Sequence, residues 1–129
     1  MSANQIGLNK IAEYKPKAFF ASDFPRETGE VVLAAGMFYP EGSVLGKVTA
    51  SGKCTLAAAA ASDGSQNLYG ILAEDVDATD GDRTSIAYLT GCFAQQRLTY
   101  AAGNSADNFA AAGRTLSIFF KNAELQPDA

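Results

Sequence analysis

Residues 44–56, VLGKVTASGKCTL, bring lysine, hydroxyl and thiol groups close together. Such groups act as nucleophiles when a neighbouring base activates them, and a glycine-lysine loop can bind phosphate. The spacing does not fit a phosphate loop, because Gly42 and Gly46 are too close together and Val48 occupies the position of the magnesium-binding hydroxyl. The chain contains no histidine, which excludes Ser-His catalysis, histidine activation of a cysteine and imidazole metal sites.

A second group of chemically capable side chains is the acidic run EDVDATDGD, residues 74–82. Oxygen-rich loops of this kind can bind Ca²⁺. The spacing departs from that of an EF-hand, since Ile86 falls where the loop needs its final glutamate if Asp75 is taken as the first position. We therefore expect a solvated turn between strands, with a metal site and a catalytic carboxylate pair as the alternatives. No metal, cofactor or catalytic residue is predicted.

The two cysteines, Cys54 and Cys92, each lie in an apolar, strand-like segment. No secretory signal is visible at the start of the chain, so we expect the protein to be made and used where thiols stay reduced. The pattern favours two buried, unpaired thiols over the alternatives of one disulfide or a reactive cysteine.

Length and composition point to one domain with a sizeable core, since the chain has 129 residues and is 47% hydrophobic. Its formal net charge is −4, and no basic cluster occurs. This composition argues against nucleic acid or an anionic membrane as a partner. No apolar run approaches the length of a membrane-spanning helix.

The pattern divides the chain into an extended, mobile arm of residues 1–28 and a β-rich domain of residues 29–129. Apolar side chains in the arm follow no helical or strand period, and Pro16 and Pro25 interrupt regular structure. Its aromatic side chains argue against the alternative of a simple frayed terminus.

The domain pattern predicts a mainly β fold with short strands, long loops and at most one short helix. A hairpin is predicted around Ser51 and Gly52, and a break in a long β region at Gly91. The helix is predicted in NSADNFAAAGR, capped by Asn104 or Ser105 and ended by Gly113. A last strand, LSIFFK, is predicted to place three side chains on one face, namely Leu116, Ile118 and Phe120.

The order of these pieces resembles the lambda-type head decoration protein family of tailed bacteriophages. The resemblance rests on GSVLGKVTASGKCTL, then DGSQNLYGILAEDVDATDGD, IAYLTGCFAQQRL and LSIFFKNA, over about residues 29–122. The GILAEDVDAT block after DGSQ is its most specific part. The N-terminal arm cannot be aligned to the family residue by residue.

The resemblance implies a small β-clip or β-tulip-like domain that decorates the outside of the phage head after synthesis in the bacterial cytoplasm. Three copies would bind at each threefold site of the expanded head, contact the major capsid protein and brace the shell against DNA pressure. The arm would become ordered on the capsid by adding a strand to it. The apolar side chains expected to bind there are Ile11, Tyr14, Phe19, Phe20 and Phe24.

Two other classes remain open from the sequence. One is a different phage structural or adaptor module, such as a tail or fibre domain. The other is an enzyme whose site is assembled between subunits from aspartate, lysine and tyrosine side chains.

Overall fold

The structure, a computed structural model, describes residues 20–22 and 24–122. These residues form nine strands and one α-helix. The strands are β1 (Thr28–Leu33), β2 (Phe38–Tyr39), β3 (Val44–Lys47), β4 (Cys54–Leu56), β5 (Leu68–Leu72), β6 (Val76–Asp77), β7 (Arg83–Tyr88), β8 (Gly91–Ala94) and β9 (Ile118–Lys121). The helix α1 spans Ala110–Leu116, and two 3-10 turns span Gln95–Arg97 and Ala106–Asn108. The predicted mainly β fold with short strands and one short helix is confirmed.

Five strands close into a barrel in the order β1-β4-β3-β5-β7. The antiparallel pairing of β1 with β7 runs from Thr28 opposite Tyr88 to Leu33 opposite Arg83 and closes the ring. Closure leaves these strands without an open edge for further pairing. The two-stranded sheets β2-β6 and β8-β9 lie outside this ring.

The hairpin predicted from residues 44–56 is confirmed as the antiparallel pair β3-β4, in which Lys47 lies opposite Cys54. Gly52 has a φ of 74°, a left-handed conformation that glycine adopts at little cost. Its amide donates to the Val48 carbonyl oxygen at 2.8 Å, which closes the turn.

Strands β3 and β5 are buried on both faces. Val44 and Ile71 belong to one hydrophobic cluster, together with Phe93 and Ile118 from β8 and β9. Their chain neighbours Leu45 and Leu72 belong to a second cluster, which also contains Val31 and Ala87 from barrel strands β1 and β7. Successive side chains of a strand point to opposite faces. The apolar runs SVLG and YGIL therefore connect two cores, the barrel interior and the layer beneath β8, β9 and α1.

Strands β8 and β9 pair in parallel, with Phe93 opposite Phe120. A parallel pair needs a crossover connection, which is supplied here by the two 3-10 turns and α1. The predicted break in the long β region at Gly91 is confirmed, because β7 ends at Tyr88 and β8 begins at Gly91.

The predicted helix exists, but its predicted end is wrong. Ser105 precedes the 3-10 turn, and α1 continues through Gly113 to Leu116. Gly113 is buried inside the helix, where a Cβ would overlap the Ile118 carbonyl oxygen. The turn out of the helix falls instead on Ser117, at a φ of 65°. Gly113 therefore permits close packing of α1 against β9.

The predicted shared face of the last strand is also wrong for one residue. Leu116 belongs to α1 and is 41% exposed, whereas β9 begins at Ile118. Ile118 is buried, and Phe120 packs against the same cluster.

The division between an arm of residues 1–28 and a domain of residues 29–129 stays a prediction. Strand β1 begins at Thr28, and the residues just before it contact the domain. Among the described residues, no helix has the length and apolar character that membrane crossing requires.

Candidate interaction surface at the base of the arm

The hairpin of residues 44–56 uses its reactive side chains for structure. Cys54 is 1% exposed, and burial raises the pKa of its thiol to about 11 despite the opposing effect of the Lys47 charge. Lys53 forms an ion pair with Asp82 at 2.6 Å. Ser51 accepts a hydrogen bond from the Lys53 amide within the turn. A buried, protonated thiol such as Cys54 is a poor nucleophile. The hairpin instead supports the segments that pack on it.

The loop that contains the DGS motif packs directly on this hairpin. Gly46 faces the Ser65 carbonyl oxygen so closely that a Cβ would overlap it. The Thr49 amide donates to the Asp63 carbonyl oxygen at 2.9 Å. The Asp63 carboxylate accepts hydrogen bonds from the Ser65 amide and hydroxyl, and these bonds lower the pKa of Asp63. Contacts between VLGKVT and DGS thus hold the loop against the barrel.

The carboxylates of the acidic run have separate partners. Glu74 accepts a hydrogen bond from the Ser85 hydroxyl, and Asp75 accepts one from the Glu41 amide. Asp77 accepts hydrogen bonds from the Thr79 amide and hydroxyl, and Asp82 accepts one from the Ala35 amide. The Thr79 bonds lower the pKa of Asp77, and the hydrogen bonds from Lys53 and then the Ala35 amide lower the pKa of Asp82. In the described part of the chain no group of three or more acidic or cysteine side chains is arranged to hold a metal ion. The prediction of one solvated turn is only partly right, because Val76–Asp77 at the centre of the run forms β6 and pairs with β2, and Val76 and Ala78 are buried in the core.

The base of the predicted arm lies on strand β8. Phe20 forms an antiparallel bridge with Phe93, and the Ala21 amide donates to the Cys92 carbonyl oxygen at 2.9 Å. The centre of the Phe20 ring lies 5.0 Å from that of Tyr88 and 5.5 Å from that of Phe93. Phe20, which was expected to bind the capsid, therefore contacts its own domain in this structure.

The other predicted binding residues have different placements. Phe24 is 37% exposed, and its ring meets the Phe119 ring edge to face at a centroid distance of 5.1 Å. Ile11, Tyr14 and Phe19 lie outside the described residues. Phe24 is therefore the described member of the predicted set that offers an exposed apolar surface.

Residues 20–22 and 24–27, here called the strap, are fastened at several points. The Arg26 guanidinium lies 3.5 Å from the centre of the Phe20 ring and donates to the Ser22 carbonyl oxygen at 3.0 Å. The Glu27 amide donates to the Thr90 hydroxyl, and the Leu89 amide donates to the Glu27 carbonyl oxygen. These contacts join the strap to the segment between β7 and β8.

A cavity of about 340 Å³ opens between the strap and the β8-β9 sheet. Five residues line it, namely Ser22, Phe24, Cys92, Phe119 and Lys121. Its volume lies within the range of about 300–1,000 Å³ that is typical of binding pockets. Rings and a thiol supply an apolar lining, and the ammonium of the exposed Lys121 supplies a positive charge.

Sequence reasoning missed Arg26, Phe119 and Lys121 as parts of a surface. Its prediction of two buried, unpaired thiols is confirmed for Cys54 and Cys92. One available signal was the alternation in β9, because Ile118 and Phe120 face the core and the alternate positions point the other way. No comparable sequence pattern indicated that the strap would line this cavity. It depends on contacts between segments about 70 residues apart, such as Phe20 with Phe93.

Charge is distributed unevenly between the barrel and this surface. Residues 27–88, which contain the five barrel strands, hold three basic and nine acidic side chains. Residues 89–122, which contain β8, β9 and α1, hold three basic side chains and one acidic side chain. Residues 89–122 therefore carry a small excess of positive charge beside a strongly anionic barrel segment.

Comparison with protein families identifies the relationship of the chain. The model of the family described as "Bacteriophage lambda head decoration protein D" matches residues 12–119. No match was found among curated proteins. The family match includes the strap, the barrel, α1 and the first two residues of β9, but not Lys121. The chain belongs to the bacteriophage lambda head decoration protein D family.

Proposed function

We propose that the protein is a cement protein of a tailed-phage head that binds as trimers at the threefold sites of the expanded shell. Its partner is the major capsid protein, and its place is the outer surface of the virion. The match of the decoration-protein family to residues 12–119 carries this proposal. Binding at these sites would brace the shell against the pressure of packaged DNA.

The proposed anchor is the N-terminal arm. Burying an apolar side chain is worth roughly 1.5–3 kcal/mol, whereas ordering one backbone residue costs about 1–2 kcal/mol. A long arm therefore needs backbone pairing with the shell and contacts from several subunits. Because Phe20 packs on its own domain, the binding contacts in this proposal come from Ile11, Tyr14, Phe19 and Phe24.

The uneven charge of the domain supports an orientation on the shell. Residues 89–122, on which the strap packs, hold three basic side chains and one acidic side chain, whereas the barrel segment carries the excess of acidic side chains. In the proposed arrangement the arm base faces the capsid protein and the barrel faces solvent.

A binding and heating experiment tests the proposed function. Purified protein is added to expanded and unexpanded heads of its phage, bound protein is measured after sedimentation, and DNA release is followed on heating. We expect saturable binding to expanded heads alone and a higher temperature of DNA release. Equal binding to both kinds of head, or no effect on DNA release, would contradict the proposal.

A further inference from the structure

We propose that Arg26 is a positioning residue for capsid binding: by clamping the Phe20 ring, it fixes the point and direction at which the arm leaves the domain. This inference rests on the proposed function, in which the arm is the capsid anchor. Residues 1–19 lie outside the described residues, and the chain enters the described structure at Phe20. The placement of Phe20 therefore limits where an anchor attached to it can reach.

Phe20 is held through both its backbone and its side chain. Its backbone forms an antiparallel bridge with Phe93, and the next amide, that of Ala21, donates to the Cys92 carbonyl oxygen at 2.9 Å. Its ring lies against the Tyr88 and Phe93 rings, at centroid distances of 5.0 and 5.5 Å. The start of the strap thus has one defined orientation on β8.

Arg26 joins the end of the strap to its start. The end is fixed because the Glu27 amide donates to the Thr90 hydroxyl at 2.9 Å. From this base the Arg26 guanidinium reaches back over the Phe20 ring, 3.5 Å from its centre, and donates to the Ser22 carbonyl oxygen at 3.0 Å. One side chain therefore holds both the ring and the backbone that follows it.

The environment of the guanidinium indicates a role beyond stability. Among the described residues, the Arg26 Nε is a buried donor that has no hydrogen-bond partner. Leaving a buried donor unpaired costs free energy. An aliphatic side chain would cover the Phe20 ring without this cost, but it could not bond the Ser22 carbonyl oxygen. Arginine therefore provides orientation of the strap at some expense of stability.

A fixed departure point favours binding through the arm. Holding a segment beforehand in the arrangement that it needs for binding reduces the ordering cost of association. Without Arg26 the start of the strap would adopt more arrangements, and Ile11, Tyr14 and Phe19 would reach their sites on the capsid less often. Binding should therefore weaken although Arg26 itself makes no contact with the capsid protein.

A double-mutant cycle in the full-length chain tests this inference. Arg26→Ala is made in the wild-type chain and in an alanine-arm chain, which carries Ile11→Ala, Tyr14→Ala and Phe19→Ala together. Binding to expanded heads is measured by sedimentation. We expect Arg26→Ala to weaken binding at least about tenfold in the wild-type chain and no more than about twofold in the alanine-arm chain, since a positioning residue couples to the groups that it positions. Equal weakening in both chains would mean that Arg26 acts independently of the arm and would overturn the inference.

A remote variant separates positioning from loss of stability. Gly46→Ala disturbs the DGS loop, because a Cβ at this position would overlap the Ser65 carbonyl oxygen. At a temperature at which circular dichroism shows both variants folded, Gly46→Ala should bind heads within about twofold of the wild type. Arg26→Lys should bind within about threefold, since an ammonium group can still lie over the Phe20 ring. Weakening by Gly46→Ala equal to that by Arg26→Ala would assign the effect to stability and overturn the positioning role.

The outcomes also separate the inference from the function on which it rests. Failure of the wild-type chain to bind expanded heads would overturn both. Wild-type affinity of the alanine-arm chain would overturn the arm as the anchor and the inference with it. Wild-type affinity of Arg26→Ala, with weakened binding of the alanine-arm chain, would overturn the positioning role alone and leave head decoration intact.

Discussion

The Arg26 guanidinium lies 3.5 Å from the centre of the Phe20 ring, on a strap whose Ala21 amide is bonded to strand β8. Two residues near the arm base are thus joined by a cation-π contact that seals an aromatic side chain against the domain. This relationship fastens the strap, whose Ser22 and Phe24 line the cavity.

Replacing Arg26 with alanine should destabilise the domain by about 1–2 kcal/mol, because the cation-π contact and the bond to the Ser22 carbonyl oxygen are both lost. Urea unfolding measures this change. Arg114→Ala, at an exposed position of α1, is the control and should stay within about 0.5 kcal/mol of the wild type. An Arg26→Ala variant as stable as the wild type would show that the contact does not hold the strap.

Replacing Gly46 with alanine should destabilise the domain by about 3 kcal/mol, because the new Cβ would overlap the Ser65 carbonyl oxygen and push the DGS loop from the barrel. Thermal and urea unfolding measure the change. Gly81→Ala is the matched control, since the nearest atom to its Cβ would be Arg83 Nη1 at 3.6 Å. Equal stability of the two variants would mean that the loop can move away at little cost.

The strands could be predicted from sequence because their signals are local. Ser51 and Gly52 form a turn between β-forming residues, and Gly91 marks the break before β8. The end of the helix could not be predicted in this way. Gly113 has the residue type of a helix end, yet the close approach of the Ile118 carbonyl oxygen requires glycine inside the helix. Packing of α1 against β9 therefore outweighed the usual preference for glycine at the end of a helix.

The candidate surface was still harder to predict. The sequence predicted the same role, capsid binding, for Phe20 and Phe24. In the structure Phe20 packs on Phe93, whereas Phe24 lies beside Phe119 and is 37% exposed. This difference depends on tertiary contacts, which the sequence pattern does not show. The acidic run was predicted only in part, because Val76–Asp77 at its centre forms β6, which pairs with the distant β2. Its carboxylates proved to bond nearby amides and hydroxyls.

The thiol of Cys54 should react slowly with alkylating agents in the folded protein at pH 8. It is 1% exposed and has a pKa of about 11, so little thiolate is available. Cys92 lines the cavity and should react first. Mass spectrometry of peptides after timed labelling measures both rates, and denatured protein should show two labelled thiols. Faster labelling of Cys54, or a disulfide in freshly purified protein, would contradict this expectation.

The same raised pKa predicts the direction of an alkaline pH effect on stability. An unfolded chain would lose the Cys54 proton near the ordinary pKa of 9.0, whereas the folded chain keeps it until about pH 11. The contribution of the neutral thiol is therefore complete below pH 9 and is lost as pH rises through 11. Cys54→Ala should lose less stability than the wild type between these pH values in urea unfolding. An identical loss would remove Cys54 as the cause.

Deleting residues 1–19 should separate head binding from folding. The strap and barrel remain, so we expect a β-type circular dichroism spectrum and a cooperative melt. Removal of Ile11, Tyr14 and Phe19 should weaken binding to expanded heads by at least about a hundredfold, given roughly 1.5–3 kcal/mol for each buried side chain. Wild-type binding of this variant would show that the arm is not the anchor.

Deleting residues 1–28 provides the comparison. This variant also loses the Phe20 contacts with Tyr88 and Phe93, so it should be less stable than the shorter deletion by about 3 kcal/mol, as expected for loss of a packed phenylalanine. Equal stability of the two deletions in urea would show that the strap adds nothing to the fold.

Electron cryomicroscopy of expanded heads saturated with the full-length protein tests the central claim most directly. The account predicts trimeric density at the local threefold sites, with the arm base facing the capsid protein and the anionic barrel facing solvent. Unexpanded heads treated in the same way should show no such density. Bare threefold sites on expanded heads, or protein bound only to a tail structure, would contradict the account.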